Sequence, residues 1–361
     1  VQSNLIESNY PSTRKPVNNG RSDLPFTLQD LKSAIPASCF EPSIARSLSY
    51  FFLDISLIGL LYGAVYVLNY WWFLPIFWLM QGTMFWALFV VGHDCGHGSF
   101  SKKKWLNNLI GHLAHTPILV PYHGWRISHR THHQNTGNIQ TDESWYPLTE
   151  SKYRMTPWWE KFLRFEAFGV LFAYPLYLFT GSPEREPGSH FLSSSPLFRP
   201  SEKWDVITST VLWTLMVSFL GWLTFQYGWL FLLKYYLAPY LVFVVWIDLV
   251  TFLHHTESDI PWYRGEEWYF LKGALSTIDR NYGLINGIHH NIGTHVAHHI
   301  FLNMPHYHLK TATEAIKPIL GDYYRKSDDS IFKSFFTSWR SCRFVEDEGG
   351  KVFYQSKALP K

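Results

Sequence analysis

The sequence predicts an all-α membrane protein, with four transmembrane helices in two hairpins and a cytoplasmic histidine-rich helical cap. Three observations predict it. Four stretches, about 48–68, 71–91, 207–225 and 229–253, are apolar and long enough to cross a bilayer, which takes ~20 residues as helix. Charged residues are only 16% of the 361, against ~25% in a soluble protein. Aromatic residues reach 18%, and Trp and Tyr cluster at the ends of the apolar stretches, where amphipathic rings favour the headgroup layer. Mean hydropathy is nevertheless −0.08, so much of the chain lies outside the bilayer. This composition excludes a disordered chain. Three cysteines far apart exclude a disulfide scaffold and fit a reducing compartment. A net charge of +3 leaves nucleic acid without an electrostatic footprint.

The elements follow in order. Residues 1–22 are polar and rich in Ser, Asn and Pro, and read as a disordered tail before a domain over 23–355; residues 356–361 read as a short C-terminal tail. Asn69 and Tyr70 separate the first two spans, and Gln226, Tyr227 and Gly228 the last two, so each pair forms a tight hairpin. Neither turn holds Lys or Arg, whereas Arg14, Lys15, Arg21, Lys32 and Arg46 precede the first span. Most other cations follow the second and fourth spans; Lys234 is the exception. By the positive-inside rule both termini and the middle segment face the cytoplasm or its equivalent. The apolar pieces 105–120 and 162–179 carry His, Arg164, Glu166 and Pro175, and read as interfacial helices. In the tail, 311–324 predicts an amphipathic helix broken at Pro318, and 343–355 a β-hairpin around Gly349 and Gly350.

Histidine is distributed unevenly. Of 18, eight lie between His93 and His133 and seven between His289 and His308. Three spacings stand out: HDCGH at 93–97, HRTHH at 129–133 and HVAHH at 295–299. Residues three and four apart share a helix face, so His93 and His97, then His129, His132 and His133, then His295, His298 and His299 each present imidazoles in one direction. Two spans separate the second motif from the third, so all three emerge on one membrane face. Eight imidazoles exceed the four ligands of tetrahedral zinc and suit two metals; ligand type alone does not choose among Zn, Fe, Cu and Ni. Asp94, Asp142 and Glu143 are candidate acceptors for the free ring N–H groups. His112, His115, His123, His190, His306 and His308 read as structural, or as partners of the ligating histidines rather than ligands. Asp54 and Asp248 lie in or near apolar spans, where ionisable groups are costly and often functional; Asp248, about two turns before His255, is the stronger of the two.

These motifs resemble the three histidine boxes of membrane fatty acid desaturases. The similarity extends through GHDCGHGSF (92–100), VPYHGWRISHRTHHQNTG (120–137), TDESW (141–145), GALSTIDRNYG (273–283) and THVAHHIF (294–301), and covers about 24–355. Within the acyl-lipid branch, HDCGHGSFS and VPYHGWRISHRTHH look like the ω-3 group, cyanobacterial enzymes first and plant enzymes next. The resemblance implies a di-iron centre of two non-haem Fe ions held by the box histidines, with O2 as co-substrate and two external electrons. It implies conversion of linoleoyl to α-linolenoyl chains of membrane lipids, in a thylakoid or plasma membrane or the plastid or endoplasmic reticulum equivalent. It also implies a ninth nitrogen ligand near the end of the fourth span, for which His255 and His290 are rivals. No haem-binding HPGG occurs, so electrons come from a separate carrier, ferredoxin or cytochrome b5. Lys102, Lys103 and Lys104 beside box one either help dock that acidic carrier or anchor the cap at the headgroups. On the same scaffold an ω-6 desaturase or a fatty acid hydroxylase remains open. A membrane zinc hydrolase would need an HExxH-like Glu that box one lacks, and a metal transporter would carry its His and acids inside the spans.

Overall fold

A computed structural model describes residues 23–68, 70–166, 169–182 and 187–356. The expected tail at 1–22, the turn residue Asn69 and residues 357–361 lie outside the described residues. Among those described, four helices are long and apolar enough to cross a membrane: Ile44–Leu68, Trp71–His97, Pro200–Tyr227 and Trp229–His255. They pair as two hairpins in the expected order. Each extends beyond its expected apolar stretch. The second runs on from Val91 through box one because nothing in GHDCGH breaks a helix. It closes only at Gly98, whose left-handed φ of 74° turns its N–H back onto the Asp94 and Cys95 carbonyls.

The apolar windows of the second and fourth spans are 61% and 50% buried, against 17% for the first and third. The inner pair therefore makes the core and the outer pair offers its sides to lipid. Close approach of the inner pair depends on Gly82. A Cβ there would stand 2.4 Å from Val242 Cβ and 2.5 Å from the Pro239 carbonyl oxygen. Trp246 Nε1 donates to Thr83 Oγ1 across the same contact at 3.0 Å. A π turn at Leu233–Leu237 interrupts the fourth span. Its displaced carbonyls are met by side chains: Trp78 Nε1 donates to Lys234 O at 2.8 Å and the Tyr62 hydroxyl to Tyr235 O at 2.9 Å. Such groups carry a heavy penalty at membrane depth when left unpaired.

The cap is built between and after the hairpins. Helix Lys104–His115 buries Leu106, Ile110 and Ala114 and exposes Trp105, Leu109 and Leu113, an outward apolar stripe suited to the bilayer surface. Over 162–179 the chain divides into a π turn at Phe162–Glu166, a 3-10 turn at Gly169–Leu171 and a short helix at Tyr174–Thr180. None can span a bilayer, while Phe162, Leu163, Phe172, Leu176 and Phe179 remain exposed. The tail departs from expectation in two places. Helix His306–Leu320 begins earlier and is not broken at Pro318, which sits in its last turn. Of the expected 343–355 hairpin, the Phe344–Gln355 bridge forms, but Lys351–Val352 pairs instead with Trp262–Tyr263, because the cap supplies a free edge there.

Candidate metal centre

The histidine boxes lie on three helices that end beside one another. His93 and His97 occupy the last turns of the second span. Helix Tyr122–Asn135 carries His129, His132 and His133. The short helix His295–Ile300 carries His295, His298 and His299. His255 is the final helical residue of the fourth span.

Their imidazoles form two adjoining clusters. In the first, ligand atoms of His93, His97, His129, His133 and His298 all lie within 4.8 Å of one another. In the second, His132, His255 and His299 do the same. His295 joins the second, its Nε2 lying 3.0 Å from both His255 Nε2 and His299 Nε2. Each adjacent pair divides: His133 and His298 face the first cluster, His132 and His299 the second. The His133 and His299 rings meet between them at 4.1 Å.

The donor set fits metal ions. His133 Nε2 lies 3.0 Å from His129 Nε2 and 3.2 Å from His298 Nε2. A neutral imidazole has one N–H and one lone pair, so nitrogens converging in threes cannot all be paired by hydrogen bonds. A cation at ~2.1 Å from each nitrogen would bring neighbouring ligands to about this separation. Burial, reinforced by the neighbouring imidazoles, holds His129, His133, His295, His298 and His299 well below the ordinary histidine pKa. The rings are thus neutral and their lone pairs available.

Two side chains fix which nitrogen faces inward. Asp142 Oδ1 accepts from His132 Nδ1–H at 2.8 Å and from the Ser144 and Trp145 amides. Burial raises the Asp142 carboxyl above its ordinary value, opposed by His132 and those amides. The Thr136 hydroxyl donates to the His132 carbonyl at 2.9 Å and accepts from His299 Nδ1–H at 3.1 Å. Both rings therefore turn Nε2 to the second cluster. Thr136 had a local signal, four residues after His132 on one helix face. Asp279 had none. It accepts from the Val296 amide at 2.7 Å and the Tyr324 hydroxyl at 2.8 Å, capping the box-three helix, and burial pushes its pKa up to about 7.

The other candidates are placed differently. Asp94 accepts from the His306 amide at 3.0 Å and His306 Nδ1 at 2.9 Å, while His93 Nδ1 stands 3.7 Å away, beyond hydrogen-bond reach. Glu143 accepts from Ser128, Ser144 and Tyr177 hydroxyls rather than from a box histidine. Asp248 accepts from the Tyr174 amide at 3.1 Å and ties the fourth span to the Tyr174–Thr180 helix. His290 stands outside both clusters and donates through Nε2 to Asp54 Oδ2 at 2.7 Å. That bond gives the acid buried in the first span a hydrogen-bond partner. His254 commits Nδ1–H to Ile278 O at 2.6 Å and Nε2 to the Tyr282 hydroxyl at 3.0 Å, so His255 alone of the two reaches the cluster. His115 and His190 bond backbone carbonyls at Phe89 and Leu178.

The family model described as fatty acid desaturase matches residues 69–329. The chain belongs to the fatty acid desaturase family. It is 67% identical over 351 residues, 97% of each chain, to a protein of Synechocystis sp. named sn-1 acyl-lipid omega-3 desaturase (ferredoxin). A Nostoc sp. protein of the same name is 67% identical over 96% of this chain and 97% of its own. An Arabidopsis thaliana protein named sn-2 acyl-lipid omega-3 desaturase (ferredoxin), chloroplastic, is 50% identical over 92% of this chain and 76% of its own. This desaturase is therefore an oxidoreductase, and its two histidine clusters are able to bind metal.

Proposed function

We propose that this desaturase inserts a cis double bond at the ω-3 position of linoleoyl chains in membrane lipids, giving α-linolenoyl chains. The observation that carries the reading is the pair of touching imidazole clusters at the ends of the two inner spans. Near-full-length identity to relatives bearing that name supplies the bond position. The centre would hold two non-haem irons. His93, His97, His129, His133 and His298 would bind one, and His132, His255, His295 and His299 the other. Bound there, the irons would reduce O2 with two electrons and supply the oxidising power that an unactivated methylene requires and acid–base side chains lack.

The chain's own residues bind, orient and exclude water. Asp142 and Thr136 hold His132 and His299 in one tautomer and orientation. Trp125 stacks on His129 at 4.3 Å and Trp145 flanks His255, walling the clusters with apolar surface. Trp86, Phe89, Phe243 and Phe252 pack in the apolar core of the inner spans below them, a setting in which an extended acyl chain would be held away from water. The electron donor is a ferredoxin, as in the names of the cyanobacterial and chloroplastic relatives. Both termini, the middle segment and the centre face the cytoplasm or stroma, by the positive-inside rule.

The test is expression in a host that supplies ferredoxin, feeding of linoleate, and analysis of the fatty acids. New α-linolenate that disappears in His129→Ala is expected. An iron-loaded protein that yields only hydroxylated or ω-6 product overturns the reading.

A further inference from the structure

A cleft of about 450 Å³ opens on the cap beside box one, lined by His97, Lys102, Lys104, Asn107, Arg126 and Asn303 among others. His97 and His129 are the half-buried members of the two clusters; His97 Nε2 itself is buried and has no hydrogen-bond partner. Lys102, Lys103 and Lys104 are exposed at the rim. Lys102 pairs with Glu41 and Arg126 with Asp205; among the described residues Lys103 and Lys104 form no ion pair. Two cations are thus in surplus on this rim.

Turnover of the proposed reaction must balance as –CH2–CH2– + O2 + 2 e− + 2 H+ → –CH=CH– + 2 H2O. The electrons arrive singly from two reduced carrier proteins, each leaving oxidised by one electron. A carrier cannot enter a buried centre, so it must approach where a cluster ring meets the surface. We propose that the Lys102–Lys104 cleft is the docking and electron-entry surface for an acidic one-electron carrier protein, with the His97 ring as the nearest edge of the first cluster. This rests on the desaturase reading above.

Charge complementarity chooses the occupant. An anionic headgroup calls for donors converging on one phosphate, best a free guanidinium. Here Arg126 is committed to Asp205 and to His123 Nδ1. Lys102 and Lys104 line the cleft and Lys103 between them is exposed, so the cations do not converge on one point. A diffuse cationic rim steers an acidic protein and sets its on-rate and salt dependence.

The experiment uses the full-length protein in nanodiscs and an acidic [2Fe–2S] ferredoxin as probe. Binding is measured without lipid substrate, for wild type, Lys102→Glu/Lys103→Glu/Lys104→Glu and a control, Lys351→Glu on the cap's edge strand. The triple variant is expected to lose at least about tenfold in ferredoxin affinity and most of its salt dependence. Its iron content and its reduction by dithionite are expected to stay at wild-type levels. Unchanged affinity overturns the proposal, as does an equal loss in Lys351→Glu, or a loss of anionic-lipid binding with ferredoxin affinity retained. If the triple variant loses iron, the same criteria are applied to the neutral Lys→Gln triple. A wild-type protein that binds ferredoxin yet makes no α-linolenoyl product counts against the desaturase reading and not against this surface.

Discussion

His255 and His290 are both buried histidines, and their environments differ in one decisive respect. His255 Nε2 points at another imidazole nitrogen, His290 Nε2 at a carboxylate. Truncating His255 should therefore remove about one metal of the two, and truncating His290 neither, because His290 lies outside both clusters. Iron stoichiometry of purified His255→Ala and His290→Ala checks this; equal loss in both would contradict it. Thr136 makes a sharper case, since it touches no metal position. Thr136→Val keeps the shape and deletes both the bond to the His132 carbonyl and the tether on His299. Losing such a ring-orienting partner typically lowers metal affinity or activity by ~10–100-fold. Iron retention during chelator titration would measure it, with Thr136→Ser expected to restore most of the loss.

At the scale of elements, two glycines govern how helices approach. A Cβ at Gly82 would overlap Val242 and the Pro239 carbonyl, and one at Gly92 would lie 2.2 Å from His115 Cδ2. Gly82→Ala must therefore separate the inner spans, at a cost of about 1–3 kcal/mol typical of overpacking. A lowered unfolding midpoint in detergent is expected, with a displaced His255 showing as reduced iron content. The element boundaries teach a related lesson. Hydropathy marks where apolar residues end, whereas the helix ends where a residue refuses helical geometry. For the second span that residue is Gly98, so box one is part of the span's own helix and inherits its rigidity.

For the whole molecule, the face reached by the middle segment and by the tail decides whether three boxes can meet at all. If 162–179 crossed the bilayer, boxes two and three would be on opposite sides. Its division into three short turns and helices predicts that they are not. The native cysteines are buried, so single cysteines report accessibility cleanly. Lys152→Cys and Glu266→Cys should react with an impermeant maleimide from one side of sealed vesicles. Trp72→Cys and Gln226→Cys, exposed at the span ends beside the two hairpin turns, should react from the other. Labelling of 152 and 266 from opposite sides would overturn the topology.

By itself the sequence determined the four spans, the hairpin pairing and the three boxes. Each is local information: a run of apolar residues, a turn without charge, imidazoles three and four residues apart. The resemblance implied a ninth histidine ligand with His255 and His290 as rivals; packing turns His255 toward the second cluster and His290 toward Asp54. The division of the clusters into five and four, the separation of His132 from His133, and the roles of Thr136 and Asp279 were decided by the tertiary structure. They depend on how three helices and the end of a fourth converge from residues as far apart as His93 and His299. Asp94 and Glu143 carry the same lesson in reverse. Both were candidate acceptors for the box histidines, while the fold turned one to His306 and the other to Ser128 and Tyr177, because a carboxylate withdrawn from water takes whichever donors its neighbours present.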